Sequence, residues 1–266
     1  MAAEDVAMLH RGDLQALAAT TAGGRAVSAG RVDWAQRFRA LAASAQDPRL
    51  RAYYAHGLPD ARTPIREVPL LALDVETTGL DPTQDEIVSI GALPLYGRHI
   101  EASAARYWLL RPQGELHAES VTIHSLTHAQ LADAPALDSI ITELLDCLRG
   151  RVLVVHCAAI ERRFLDRALR ACLGEGIEFP VIDTMALEAR LHRRPPGLWR
   201  WLSGMLGRRR PQQVSIRLAD SRARYRLPRY RAHHALTDAL ASAELLQAQL
   251  AHHYRSDTPL AQLWSS

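Results

Sequence analysis

The segment Leu70–Leu80 constrains the fold of this chain more than any other. Four apolar residues lead into Asp74, Glu76 follows two positions later, and a Thr-Thr-Gly turn comes next. An apolar run that ends in turn residues predicts a buried strand, on which Asp74 and Glu76 point to the same face. Two adjacent carboxylates repel each other and lose solvation, and a bound divalent cation relieves both costs. A polar strand end has the same pattern, so the metal hypothesis depends on further acids downstream.

The pattern after this strand predicts an α/β domain with a mixed sheet. Strands are expected at 69–74, 86–95, 106–110, 152–155 and 181–182, and helices at 135–150, around 160–169 and at 235–250. The short connections between the first three strands favour an antiparallel meander. Three strands followed by alternating helices and strands are typical of an α/β fold.

The chain also predicts an N-terminal helical extension and linker over residues 1–65. Trp34, Phe38 and Leu41 have helical spacing, and residues 59–69 have the turn chemistry of a linker. We expect this helix to pack on the main domain, with a partner-binding helix as the alternative. The main domain is expected at 66–255, and residues 256–266 form a C-terminal tail.

The charge of the chain is unevenly distributed. All basic residues are Arg, which excludes a catalytic Lys, and the stretch Arg190–Arg231 holds 13 of the 32 Arg but only one of the 29 acids, leaving 19 and 28 elsewhere. Such asymmetry indicates a face that binds a polyanion. The stretch also contains the aromatic residues Trp199, Trp201, Tyr225 and Tyr230. They could stack on nucleobases or be buried in the core as anchors.

The cysteines indicate where the protein works. Cys147, Cys157 and Cys172 have neither metal-ligand nor redox spacing. A sparse, odd set of this kind suggests a reducing setting, so we expect a cytoplasmic protein without a membrane span.

Two later stretches supply the further acids. His156-Cys-Ala-Ala-Ile-Glu161 lies at a strand end and helix start, and His233-His-Ala-Leu-Thr-Asp238 opens the last helix. Carboxylates from separate elements that converge on one strand end can hold two metal ions. Taken alone, Glu161 is better explained as a first-turn charge that the helix dipole favours, and Asp238 as an acid on the helix surface.

Together these motifs resemble the DEDDh exonucleases, the family of the proofreading subunit of bacterial replicative polymerase. The first motif, Asp74-Val-Glu-Thr-Thr-Gly79, is a close match, and His233 with Asp238 has the family's spacing. The segment Val121–Thr127 and the pair Asp183-Thr184 also match. The resemblance covers roughly residues 68–252.

This resemblance implies an RNase H-like fold and hydrolysis from a 3′ end with two divalent cations, Mg²⁺ or Mn²⁺. Asp74 should bridge both ions, Glu76 and Asp238 should hold the first, and Glu161 should support the second. His233 should be the general base, with His234 a neighbour that moves no proton. Nucleic acid with a single-stranded 3′ end, DNA ahead of RNA, is the expected substrate, and a DNA polymerase is an expected partner.

The resemblance also assigns a substrate-binding role to Thr77 and Thr78, and it departs from the family at the second motif. The family has His-Asn-x-x-Phe-Asp there, whereas this chain has Cys157, Ile160 and Glu161. The carboxylate of Glu161 is displaced by one C–C bond, ~1.5 Å. Since Mg²⁺ demands near-ideal octahedral geometry, activity is expected to be reduced or to favour Mn²⁺.

Two other classes remain open at this point. One is a catalytically weakened module that binds nucleic acid or associates with a polymerase. The other is a haloacid dehalogenase-like phosphatase, because the sequence Asp74-Val-Glu-Thr is similar to the strand-end motif of that class. That class needs a second Asp at the position of Glu76, and it gives His233 no role.

Overall fold

The structure, a computed structural model, describes residues 32–114, 126, 128–192 and 214–264. The described residues from Trp34 onward form one compact unit. The predictions for residues 1–31, for nearly all of Val121–Thr127, and for Trp199 and Trp201 lie outside the described residues.

A mixed sheet is the centre of the fold. Its strands are β1 (Pro69–Thr77), β2 (Ile87–Tyr96), β3 (His99–Ile100), β4 (Arg106–Leu109), β5 (Val152–Val155) and β6 (Val181–Asp183). The order is β3-β2-β1-β5-β6, and β4 also pairs with β2. The first strands form the predicted antiparallel meander, whereas β5 and β6 run parallel to β1 after helical crossovers.

Helices flank both faces of this sheet. In the described part of the chain they are α1 (Trp34–Ser44), α2 (Pro48–Ala55), α3 (His128–Ala132), α4 (Leu137–Leu148), α5 (Ala158–Leu173), α6 (Thr184–His192), α7 (Leu218–Arg224) and α8 (Ala235–His253). Short 3₁₀ turns occupy Ile65–Glu67, Ala102–Ala104 and Leu260–Gln262. The predicted RNase H-like mixed sheet with flanking helices is therefore confirmed.

Alternation along β1 divides the core into two layers. Leu71, Leu73 and Val75 pack against α1, α2, α4 and α5, whereas Leu70 and Ala72 face α8. The side of α8 that meets the sheet is small, with buried residues such as Ala239 and Ala243. Small side chains let α8 approach the sheet closely, and this determines the distance between the start of α8 and β1.

The N-terminal helices are built into the first of these layers. Phe38 of α1 packs between the rings of Tyr53 and Tyr54, with centroids 5.5 and 5.2 Å away. The main-chain N–H of Glu178 donates to the Tyr54 hydroxyl at 2.9 Å. The predicted packing of the first helix on the main domain is confirmed, and the division of the chain at residues 65 and 255 stays a prediction.

Candidate active site

Two predicted ligands stand on β1, on the face that α8 covers. Asp74 lies opposite Gly91 of β2, and Glu76 lies opposite Ser89. Gly91 is needed here, because a Cβ at this position would lie 2.3 Å from the main-chain carbonyl carbon of Ala235. The start of α8 therefore rests directly against the strand beside Asp74.

The start of α8 brings the third carboxylate to the same place. Asp238 lies in the first turn of α8, and its Oδ2 accepts a 2.7 Å hydrogen bond from the main-chain N–H of His233. His233 has a positive φ of 68°, which turns the chain into the helix. A left-handed backbone is uncommon for a residue with a side chain, although His tolerates it better than most.

Asp74, Glu76 and Asp238 form one group. Each offers a carboxylate oxygen, and these oxygens all lie within 4.8 Å of one another. No ion pair to this group or to Glu161 is present among the described residues. Three close carboxylates without a cationic partner repel one another unless protons or a cation neutralise them.

The pKa values show how unfavourable the ionised state is. Burial, reinforced by the charges of Glu161, Glu76 and Asp238, raises the pKa of Asp74 well above its usual range. Burial and the charge of Asp238 raise the pKa of Glu76 to about 8. Burial also raises the pKa of Asp238, against the hydrogen bond that it accepts from the main chain of His233. Without a cation, this site favours protonated carboxyl groups.

Glu161 lies near this group but outside it. It stands in the first turn of α5 and is 3% exposed, and its Oε2 has no hydrogen-bond partner among the described residues. Burial raises the pKa of Glu161 well above its usual range, and Asp183 adds to this increase. The group within 4.8 Å contains Asp74, Glu76 and Asp238, so the role of Glu161 at a second ion stays a prediction.

The donor set fits a divalent cation. Oxygen ligands are those that Mg²⁺ and Mn²⁺ prefer, and a cation would neutralise carboxylates that burial has destabilised. The unpartnered Oε2 of Glu161 is a further buried acceptor beside this set. These residues are therefore suited to bind divalent ions such as Mg²⁺ or Mn²⁺.

Asp183 is a site residue that the motifs mark but whose role only the fold reveals. Its Oδ2 accepts from the N–H of Ala158 at 3.0 Å, and its Oδ1 accepts from those of Met185 and Ala186 at 2.9 and 3.1 Å. One carboxylate thus caps the starts of both α5 and α6. Since α5 carries Glu161, this cap positions the fourth acid.

The start of α5 also contains a strained residue. Cys157 precedes the helix with φ 127° and ψ 73°, a region that residues with a Cβ rarely occupy. The family motif has Asn at this position, a residue that tolerates positive φ better than most. The sequence departure at Cys157 therefore coincides with unfavourable backbone geometry.

Thr77 and Thr78 lie where β1 ends in a tight turn. The hydroxyl of Thr77 donates to the carbonyl of Gly79 at 2.5 Å, and that of Thr78 donates to Oδ1 of Asp85 at 3.0 Å. Thr78 is buried, and its Oγ1 also accepts from the N–H of Glu86 at 3.0 Å. Both hydroxyls are part of the turn, and their predicted contact with substrate stays a prediction.

Two neighbouring histidines of the α8 motif have different surroundings. The ring of His234 stacks on Tyr107 of β4, with centroids 4.7 Å apart and an angle of 15° between the rings. His233 is exposed, and its main chain is bonded to Asp238. The stack with Tyr107 had no signal in the sequence, because it depends on how β4 meets the start of α8.

Several arginines of the Arg190–Arg231 stretch are bonded within the protein. Arg222 is buried and pairs with Glu244 at 2.7 Å, and Arg224 pairs with the buried Glu188. Arg190 donates to two main-chain carbonyls near the C-terminus. These three residues are therefore bonded within the protein, and the phosphate-binding face stays a prediction; Arg208–Arg210 lie outside the described residues.

The two described tyrosines of that stretch are also engaged. Tyr225 donates to Oε1 of Glu188 at 2.8 Å, and Tyr230 donates to Oε1 of Glu244 at 2.9 Å while its ring covers Arg222. Burial favours a higher pKa for Glu188, but hydrogen bonds from Gln249, Arg224 and Tyr225 outweigh it and lower the pKa. Tyr225 thus joins the end of α7 to α6, whereas Tyr230 is bonded to α8 and still 38% exposed.

The fold and the carboxylate group define an α/β protein with an acidic strand-end site suited to divalent cations. The exonuclease family model RNase_T matches residues 71–246, a range that contains every predicted site residue. The chain therefore belongs to the RNase T family of DEDDh 3′–5′ exonucleases, which are phosphodiester hydrolases.

Three curated relatives have names that refer to DNA polymerase III. It is 28% identical over 190 residues to "DNA polymerase III subunit epsilon" of Treponema pallidum, covering 71% of this chain and 80% of the relative. It is 34% identical over 125 residues to "DNA polymerase III PolC-type" of Thermotoga maritima, covering 47% of this chain and 9% of the relative. A "DNA polymerase III subunit epsilon-like protein" of Rhodobacter capsulatus is 35% identical over 130 residues, covering 48% of this chain and 18% of the relative. The chain thus spans less than a fifth of the last two relatives.

Solved structures support the fold. The protein described as "Exonuclease X in complex with 5' overhanging duplex DNA" has a TM-score of 0.54 at 22% identity, covering 73% of this chain and 98% of that one. The nuclease domain of 3'hExo, described as a DEDDh family member bound to rAMP, has a TM-score of 0.56 at 15% identity, covering 73% and 96%. At these identities the likeness concerns the fold alone. Separately, none of the helices in the described residues has the length and apolarity to cross a membrane.

Proposed function

We propose that this chain hydrolyses phosphodiester bonds of nucleic acid, DNA ahead of RNA, from the 3′ end and releases nucleoside monophosphates. The observation that carries this proposal is the group of Asp74, Glu76 and Asp238, whose oxygens lie within 4.8 Å of one another at the end of β1. Cations bound there would stabilise the attacking and leaving oxygens of an in-line displacement. Asp74, Glu76 and Asp238 would hold one ion, and Asp74 with Glu161 would hold a second.

The protein's own residues supply the proton transfer and its orientation. An imidazole nitrogen of His233 accepts the proton of the attacking water, as a general base. The hydrogen bond from the His233 main chain to Asp238 ties the position of the base to that of a metal ligand. Thr77 and Thr78, at the turn beside Glu76, approach the sugar of the terminal nucleotide.

The experiment is digestion of 5′-labelled and 3′-labelled single-stranded DNA, duplex DNA and RNA with Mg²⁺ or Mn²⁺ separately. We expect mononucleotides from the 3′ end, and no product in excess EDTA or with Asp74→Asn. Asp133→Asn, which changes an acid outside the site, should behave as wild type. Undiminished cleavage in EDTA would contradict the metal mechanism.

Glu161 favours one alternative function, a catalytically weakened module that binds nucleic acid or a polymerase. Its carboxylate lies outside the group of three, and its side chain is one methylene longer than that of the family's Asp. Under the enzymatic proposal, Glu161→Asp retains or raises Mg²⁺-dependent cleavage, whereas Glu161→Gln lowers it strongly. Binding of single-stranded DNA without any cleavage, in wild type and both variants, would instead favour the module.

A further inference from the structure

An exposed aromatic pair lies beside the carboxylate group. Tyr107 of β4 is 36% exposed, and His234 is exposed at the start of α8. Their rings are stacked at 4.7 Å with an angle of 15°. Aromatic rings that serve only the core are normally buried, so an exposed stack invites a functional explanation.

The sheet register places this pair next to Asp74. Asp74 lies opposite Gly91, and Gly91 lies opposite Tyr107, so all three belong to one row across β1, β2 and β4. Residues that face each other across neighbouring strands point to the same side of the sheet. With strands ~4.8 Å apart, the Cα atoms of Asp74 and Tyr107 are separated by roughly 10 Å.

The absent side chain of Gly91 lets both partners meet above this row. The main chain of Ala235 and Leu236 occupies the space where a Cβ of Gly91 would lie. His234 directly precedes these residues, so it reaches the ring of Tyr107 on β4. The Oγ1 of Thr237 lies 3.5 Å from Nδ1 of His234, and the His234 carbonyl accepts from the N–H of Asp238 at 2.9 Å. The orientation of the stack is thus set before any ligand arrives.

Base chemistry suits this pair better than phosphate chemistry. The stacked rings of tyrosine and histidine offer a π-face, and neither side chain presents the planar fork of donors that an Arg offers to phosphate. Every nucleobase has a π-face, so stacking holds a strand without regard to its sequence. A strand whose terminal phosphodiester lies at the carboxylates would have its nearby bases within reach of this pair.

We propose that Tyr107 and His234 form a stacking subsite for one nucleobase near the 3′ end of the substrate strand. This inference rests on the proposed function, because it takes the carboxylate group as the place of cleavage. It assigns substrate-binding roles to a strand residue and to the histidine that moves no proton.

The first test measures binding apart from cleavage. Fluorescence anisotropy in Mg²⁺ gives the Kd for a single-stranded oligodeoxynucleotide whose 3′-terminal linkages are phosphorothioates, which resist hydrolysis. Tyr107→Leu should raise Kd roughly 5- to 150-fold, the range expected for loss of one base–aromatic stack. Tyr107→Phe should keep the wild-type Kd. Tyr96→Leu is the matched control, because Tyr96 is 54% exposed on the same sheet but five residues along β2 from Gly91.

The second test locates the base. Single abasic residues are placed in turn at the four 3′-terminal positions. In wild type, one of these substitutions should raise Kd by about the same factor as Tyr107→Leu. In Tyr107→Leu, that substitution should cost nothing further. Equal losses in both proteins at every position, or no loss in wild type at any position, would overturn the subsite.

Failure of the proposed function has a different signature. Turnover of unmodified oligonucleotide is measured in parallel, together with the thermal unfolding midpoint of each variant. A Tyr107→Leu variant that folds normally and keeps its Kd but loses kcat would show that the pair only orients the α8 start, and this would overturn the subsite. Wild-type binding that is sensitive to an abasic residue, without metal-dependent turnover, would support the subsite and reject the nuclease activity.

Discussion

At the scale of single residues, His233 is the position where chemistry and backbone geometry meet. Its φ of 68° is left-handed, so a replacement must tolerate that conformation as well as remove the base. Asn tolerates positive φ and has no titratable group near neutral pH. His233→Asn is therefore the sharper variant, and His233→Ala adds backbone strain to the same loss.

We predict that His233→Asn lowers kcat by about 10²- to 10⁴-fold, because a positioned general base contributes that much. Binding of Mn²⁺ and of the oligonucleotide should stay close to wild type. His252→Ala, an exposed histidine at the other end of α8, should leave kcat unchanged. A large loss of kcat in His234→Ala, with little loss in His233→Asn, would show that the base is the wrong one of the pair.

The strained Cys157 leads to a second prediction at this scale. With φ at 127°, its backbone stores of order 1–3 kcal/mol, and glycine avoids this cost. We predict that Cys157→Gly leaves the free energy of unfolding equal to wild type or higher, whereas Cys157→Val, with a branched Cβ, lowers it. Denaturant unfolding measures both. Cys172→Gly, within the helical backbone of α5, should be destabilising by up to about 1 kcal/mol, and the same loss in Cys157→Gly would refute the strain.

At the scale of secondary-structure elements, Asp183 caps two helices at once and so fixes the start of α5 relative to the start of α6. Each helix start has N–H groups without partners inside the helix, and this carboxylate serves both starts. The same arrangement fixes where Glu161 lies relative to β1. The Asp-Thr pair before α6 predicts the start of that helix. The hydrogen bond from the start of α5 to the same carboxylate depends on the parallel pairing of β5 and β6, which the local sequence does not reveal.

We predict that Asp183→Ala lowers the free energy of unfolding by about 1–3 kcal/mol, since each lost cap costs roughly 0.5–2 kcal/mol. Asp183→Asn, which can still cap, should recover most of this loss. Chemical denaturation gives both values. A loss below about 0.5 kcal/mol in the Ala variant would mean that the two caps do not stabilise these helices.

At the scale of the whole molecule, the carboxylate group links folding to pH and to cations. Burial and Asp238 raise the pKa of Glu76 to about 8, far above the value of about 4.3 in an unfolded chain. A raised carboxyl pKa means that the folded state holds a proton that the unfolded state releases. The stability that the raised pKa of Glu76 contributes to the folded state is fully present below about pH 4.3 and is lost as pH rises toward 8.

We therefore predict that the metal-free protein loses stability between about pH 5 and pH 8, and that Glu76→Gln removes part of this dependence. Thermal unfolding in EDTA at several pH values measures it. Mg²⁺ or Mn²⁺ at pH 8 should raise the wild-type midpoint, because ligands that must lose protons bind metal better at higher pH. A pH profile in Glu76→Gln identical to wild type would show that Glu76 does not carry the linkage.

The sequence by itself predicted the fold class, five of the six described strands and the acids of the site, whereas β3 and the short helices α2, α3 and α7 were not predicted. Alternation placed Asp74 and Glu76 on one face of β1, and the motif spacing placed Asp238 in the first turn of α8, because these are local consequences of strand and helix periods. Tertiary structure alone decided that Glu161 lies outside the group of three and that Tyr107 stacks on His234. It also decided that Arg222 and Arg224 pair with buried or half-buried acids. Distances between side chains of separate elements depend on how closely α8 and α5 approach the sheet, and no local pattern encodes that.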